Sequence, residues 1–87
     1  MYQYDEECLQ AFIDNQEKLI GRKEFNSFDE ADEFLSDCMA VKLDSIGEVR
    51  DYLIDAGMDA YGLSDEELCA ESEVFKLKSG KYLVVEG

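Results

Sequence analysis

The chemistry on offer in this 87-residue chain is carboxylate chemistry: 22 aspartates and glutamates stand against 8 lysines and arginines, a net charge of −14, with no histidine. Without histidine, Ser-His-Asp and Cys-His nucleophilic systems are excluded. A carboxyl group becomes a general acid only in a pocket that raises its pKa, and so short a chain has little room for one. No G-x-G-x-x-G or G-x-x-x-x-G-K-[ST] phosphate loop occurs. Cys8, Cys38 and Cys69 are far apart and form no C-x-x-C pair, so they predict buried free thiols and not a zinc site. An EF-hand loop started at Asp55 would put Asp59 fifth and Glu66 twelfth. Its third position would be Gly57 and its sixth Ala60, where the turn requires glycine, so no calcium loop is expected. The sequence predicts no catalytic residue, no metal and no cofactor.

The placement of the carboxylates is more informative than their number. Residues 1–73 carry 21 acids and 5 bases, a net of −16, whereas residues 74–87 carry Glu86 and three lysines, a net of +2. Between residues 24 and 73 only Lys42 and Arg50 oppose 16 acids. A solvated helix usually mixes signs four residues apart. Here Asp29, Glu33 and Asp37 recur at that spacing with no base among them, and Asp32 lies beside the row. Each such like pair costs a few tenths of a kcal/mol. The helix dipole offsets part of this at the N-terminal end but not at Asp37. Asp55, Asp59, Asp65 and Glu66 extend the candidate surface.

Such a balance excludes binding that works by neutralising phosphates, and it opposes docking on anionic membranes. It fits solubility, and it fits a protein partner with a basic surface. If that surface grips nucleic acid, this chain would compete for it. One helix row offers a carboxylate every ~6 Å, four residues at ~1.5 Å rise. One nucleic-acid strand offers a charge every ~3.4 Å. A nucleic-acid mimic therefore needs two rows side by side, from two helices or from a helix and the 55–67 loop. Small anti-restriction and anti-CRISPR proteins act this way as a class, and the likeness here is one of composition. The expected function is accordingly a non-catalytic inhibitor or binding module.

The elements that must position these groups are short. Asp5 to Ile20 places Cys8, Leu9, Phe12, Ile13, Leu19 and Ile20 on one stripe at helical spacing, with Gly21 as its stop. Ser27-Phe28-Asp29-Glu30, Ser45-Ile46-Gly47-Glu48 and Ser64-Asp65-Glu66-Glu67 are capping boxes that open further helices. Phe28, Ala31, Phe34, Leu35, Cys38 and Met39 make the second helix's expected buried face. Gly57 is the expected C-cap of the third. Leu63 and Leu68 have the spacing of a hydrophobic staple around the fourth. Residues 27–35 and 45–53 share a pattern, Ser-apolar-x-Glu-small or branched-x-acid-aromatic-Leu, in two copies too short for a solenoid.

Residues 73–86 form two β-rich runs around Ser79-Gly80, a hairpin. A two-residue loop would put Phe75, Leu77, Tyr82 and Val84 on a helix-facing side. Val74, Leu83 and Val85 would then be exposed beside the lysines. A lone hairpin is marginal in water, and residues 2–4 or 22–25 are available as a third strand. The fold class is α+β: three to four short helices on a C-terminal antiparallel hairpin, in one domain over residues 1–87. An adaptor docking through the hairpin edge (Val74–Lys78 or Lys81–Val85), or a homodimer through the exposed apolar face, is the alternative function. No apolar run reaches membrane-span length, and the acidic start Met1 to Glu7 is unlike a signal peptide, so a cytoplasmic protein is expected.

Asp44-Ser45-Ile46 resembles the Asp-Ser-Leu attachment motif of acyl carrier proteins, which are also small, acidic and helical. That resemblance implies a phosphopantetheine arm on Ser45. Leu43 stands where the family has a small residue, and a hairpin ends the chain where the family ends in a helix.

Overall fold

Three serines decide where three helices begin. In the computed structural model, which describes residues 2–86, the Oγ atoms of Ser27, Ser45 and Ser64 accept the backbone N–H of Glu30, Glu48 and Glu67 at 3.3, 3.2 and 3.1 Å. Each satisfies one of the donors that a helix start leaves free. The helices that follow are α3 (Phe28–Asp37), α4 (Ile46–Asp55) and α5 (Asp65–Cys69). At Ser64 the box is complete, because the Glu67 carboxylate accepts the Ser64 N–H at 3.0 Å. In α4 the Glu48 carboxylate reaches one residue further back, to the Asp44 N–H at 2.8 Å.

The first amphipathic stripe is divided into α1 (Glu6–Asn15) and α2 (Glu17–Ile20), with the break at Gln16. Gln16 is 2% exposed, and both ends of its amide are used. Its Nε2 donates to the carbonyls of Ile13 and Phe25, both at 2.9 Å. Its Oε1 accepts the N–H groups of Glu24 and Phe25, both at 2.7 Å. A buried amide is tolerated when its polar atoms are matched in this way.

The same bonds explain why residues 22–25 do not supply the third strand: a side chain has claimed the backbone that a strand would pair. Residues 2–4 fail for the same reason, since Asp32 Oδ1 accepts the N–H groups of Gln3 and Tyr4 at 2.8 and 3.0 Å. The third strand is instead β1 (Val41–Leu43), between α3 and α4. With β2 (Val74–Lys76) and β3 (Tyr82–Val84) it forms an antiparallel sheet in the order β1-β3-β2. The fold is α+β, with five helices among the described residues.

The hairpin loop is one residue longer than expected. Leu77 N–H donates to the Lys81 carbonyl at 2.8 Å, leaving Lys78-Ser79-Gly80 as the loop, and Gly80 takes a φ of +90°. A three-residue loop that ends on a left-handed glycine is a standard hairpin closure. The extra residue shifts the register, so that Val74 faces Val84 and Phe75 faces Leu83. A shift of one residue exchanges faces. Phe75 and Leu77 therefore share a side with Leu83 and Val85, while Val74 shares the other with Val84 and Tyr82.

Both sides of the sheet are buried. On one lie α1, α3 and a core of Leu9, Phe12, Leu35, Phe75 and Leu83; on the other lie α4, α5 and a core of Val49, Leu53, Leu68, Val74 and Val84. The expected exposed face of Val74, Leu83 and Val85 does not exist, for all three are fully buried. It offers nothing for self-association. Strand β3 is central, so Lys81–Val85 is no edge either. Met39, expected inside, is 78% exposed: it sits beyond the end of α3 with a φ of +56°.

Candidate functional site: an acidic helix face

The two isolated bases of the acidic stretch are structural. Lys42 on β1 projects to the side opposite Val41 and Leu43, where its Nζ binds Asp5 and, at 3.0 Å, Glu7. The other Glu7 oxygen accepts the Ser79 N–H at 3.2 Å, so one carboxylate joins the start of α1 to β1 and to the hairpin loop. Hydrogen bonds from Lys42 and Ser79 hold the Glu7 carboxyl below its ordinary range, and Asp5 and Glu7 raise the Lys42 ammonium. Arg50 on α4 gathers the next loop: its guanidinium donates to the carbonyls of Ala60 (2.5 Å) and Leu63 (2.6 Å) and to Asp65 (3.0 Å).

Remaining ion pairs are Arg22–Glu24, Lys23–Glu17 and Lys81–Asp44. Among the described residues only 6 of the 22 acids thus contact a base, which leaves 16 without one. The eight acids expected to form the contact surface divide accordingly. Asp32 is half-buried and holds the chain start, and Asp65 is bound to Arg50. Asp29, Glu33, Asp37, Asp55, Asp59 and Glu66 are exposed and make no ion pair among the described residues.

The structure does not unite them. Asp29, Glu33 and Asp37 ride on α3, on one side of the sheet; Asp55, Asp59 and Glu66 belong to α4, α5 and their loop, on the other. A composite face of α3 with the 55–67 loop is therefore not formed. The element that shares a layer with α3 is α1, which carries Glu6 and Asp14.

The α3 row borders a feature that the charge pattern alone did not reveal. Phe25 and Phe34, half-buried with ring centroids 4.8 Å apart, line a shallow depression of ≈ 250 Å³ together with Glu30, Glu33 and Asp37. No lysine or arginine borders it. Positions 30, 33, 34 and 37 follow i, i+3, i+4, i+7, so helical spacing marks them as one face. An aromatic floor with a carboxylate rim suits a guanidinium or ammonium group: the ring face attracts the cation, and the rim accepts its hydrogen bonds. Nearby, desolvation and then the charge of Asp29 raise the Tyr2 phenol.

Ser45 is exposed, and its hydroxyl oxygen is occupied as the cap of α4. Ser27 and Ser64 cap α3 and α5 in the same way without an Asp-Ser-Ile context. Comparison with family models, curated proteins and solved structures gives no match for this chain. No helix of the described residues is long and apolar enough to cross a membrane.

Proposed function

We propose that this chain is a non-catalytic acidic module that docks the outer face of α3 on the basic surface of a partner protein. In its most concrete form it is an inhibitor covering a surface that the partner uses to grip nucleic acid. The observation that carries this reading is the exposed row Asp29, Glu33 and Asp37, without an ion pair among the described residues and flanked by the Phe25/Phe34 depression. An arginine of the partner fits there as the anchor, its plane on a ring face and its fork on a carboxylate. The row does not need to imitate phosphate spacing for this, because a few desolvated anchors carry most of the energy of an interface. Charge complementarity steers the encounter and makes it salt-sensitive.

Affinity capture from the source cell supplies the partner, and titration then tests the reading. Binding should weaken from low to high salt, and the partner should release nucleic acid as it binds. The triple variant Asp29→Lys, Glu33→Lys, Asp37→Lys should abolish binding. Asp55→Lys, Asp59→Lys, Glu66→Lys, on the far side of the sheet, should leave it intact. An affinity indifferent to salt, or equal loss from both triple variants, would overturn the α3 assignment.

A further inference from the structure

We propose that the open edge of β2 is a second docking site, and that its occupant is an extended segment of another protein with alternating acidic and basic side chains. The hydrogen bonds of the hairpin decide which backbone groups of β2 face outward. Leu77 N–H donates to Lys81 O and Val85 N–H to Glu73 O, both at 2.8 Å. Antiparallel pairing alternates, so Glu73, Phe75 and Leu77 turn their backbone groups toward β3, and Val74 and Lys76 turn theirs outward. The Val74 N–H is taken by the Glu71 carbonyl at 3.1 Å. Among the described residues, the N–H groups of Lys76 and Lys78 have no acceptor. An unpaired strand edge is a template for one more strand.

That edge opens on a groove of ≈ 420 Å³, whose opposite wall is the outer face of α1. The wall presents Glu6, Gln10 and Asp14 at successive helical turns, while Lys76 and Lys78 line the strand side. From Glu6 to Asp14 is about 12 Å at ~1.5 Å rise per residue. That length takes about four residues of extended chain at ~3.3 Å each. The two walls differ in sign. Among the described residues Lys76 and Lys78 make no ion pair, although the molecule is rich in free carboxylates.

A second copy of this chain does not fit. It would set Lys76 against Lys76 and −14 against −14, and like charges directly opposite oppose pairing. Successive side chains of an added strand point to opposite faces. Those on the α1 side meet Glu6, Gln10 and Asp14 and should be basic. Those on the other side meet the edge lysines and should be acidic.

The probe is a capped octapeptide of alternating glutamate and lysine, followed by ¹H–¹⁵N spectra and amide exchange at millimolar peptide. A block peptide of the same composition, with the glutamates first, is the control. The alternating peptide should shift the Lys76 and Lys78 amides most and slow their exchange by about tenfold or more. Lys76→Pro removes only an outward N–H, which an edge strand tolerates, so the variant should keep the native spectrum and lose the peptide. Shifts centred elsewhere, equal binding of the block peptide, undiminished binding to Lys76→Pro, or concentration-dependent shifts at Lys76 without peptide would each overturn the proposal. The α3 triple lysine variant should bind the peptide normally, which separates this site from the α3 reading.

Discussion

Residues 27–41 and 45–59 are the same device used on opposite sides of one sheet. Each opens with a serine cap, Ser27 or Ser45. Each buries two side chains at matching positions, Ala31 and Leu35 or Val49 and Leu53. Each exposes three matching acids: Glu30, Glu33 and Asp37, or Glu48, Asp51 and Asp55. Each closes with the same two crossing bonds. Met39 N–H to Ser36 O and Ala40 N–H to Leu35 O measure 3.1 and 2.9 Å; Gly57 N–H to Ile54 O and Met58 N–H to Leu53 O measure 3.0 and 2.9 Å. This is the Schellman ending. The units differ where the sequence pattern is silent. At one matching slot the first has Asp32, which collects two N–H groups, and the second has Arg50, which collects two carbonyls. Local signals make the helix, and the residue in that slot selects the loop it holds.

The largest effects should come from the buried leucines. Leu35→Ala and Leu53→Ala each open a cavity in a filled core and should each cost about 2–5 kcal/mol in denaturant unfolding. The two cores lie on opposite faces of the sheet, so the double variant should equal the sum within about 0.5 kcal/mol. A large deviation from additivity would mean that the sheet transmits packing between the layers and that the two units are not independent.

The slot that differs should come next. Arg50→Ala leaves the carbonyls of Ala60 and Leu63 and the Asp65 carboxylate without their partner, at a cost of about 1–3 kcal/mol. Asp32→Ala frees two N–H groups near the chain start that water can reach, so it should cost about 1 kcal/mol or less. Equal losses by chemical denaturation would break the asymmetry between the units. Proton exchange should localise each loss, at the Gln3 and Tyr4 amides for Asp32→Ala and in the 58–64 loop for Arg50→Ala.

How much of this was legible in the chain follows the range of each interaction. The helix starts at Ser27, Ser45 and Ser64 are set by residues three apart, and they lie where the capping pattern puts them. The third strand was not legible, because the rivals at 2–4 and 22–25 are disabled by Asp32 and Gln16, which reach them from other parts of the chain. The hairpin was legible as a hairpin. Its faces were not, since they turn on whether Gly80 closes a loop of two residues or three. The acidic row of α3 could be read from i, i+4, i+8 spacing. Whether Asp55 or Glu66 shares its layer depends on which side of the sheet α4 crosses, and no local pattern records that. The Phe25/Phe34 depression lies between: half of it is helical spacing, and half is Phe25, which Gln16 brings in.

The left-handed slot gives a smaller effect with opposite signs in the two units. Gly57 at φ +99° is suited to its place, and a Cβ there would meet nothing within 4 Å, so Gly57→Met should cost only the conformational penalty, about 1–2 kcal/mol. Met39 at φ +56° bears that penalty already, with its side chain in solvent. Met39→Gly should stabilise by about 0.5–1 kcal/mol, the gain offset in part by greater freedom of the unfolded chain. A loss at Met39→Gly would show that the Met39 side chain makes a contact beyond its backbone role.

The smallest effect is a pH dependence of the link between α1, β1 and the hairpin loop. Glu7 is held below its ordinary pKa by Lys42 and Ser79; Glu67 is held below it too, by its bonds from Ser64, but only within the cap of α5, and the 58–63 loop is fastened by Arg50 on carbonyls, which do not titrate. A carboxyl whose folded pKa is depressed contributes stability above the ordinary glutamate value of about 4.3, and that contribution is lost as pH falls through the depressed value. Lys42, raised in the fold, loses its contribution only as pH climbs above the ordinary lysine value of about 10.4. Glu7→Gln should therefore be less stable than the parent at pH 7, and the gap should close as both are taken down through pH 4. Over the same range the Ser79 amide, released by Glu7, and the Ser64 amide, released by Glu67, should exchange faster while the amides of residues 58–63 keep their protection. Loss of protection at 58–63 as well would mean that acid acts on the general carboxylate excess, and the two layers would then share one electrostatic fate despite their different fastenings.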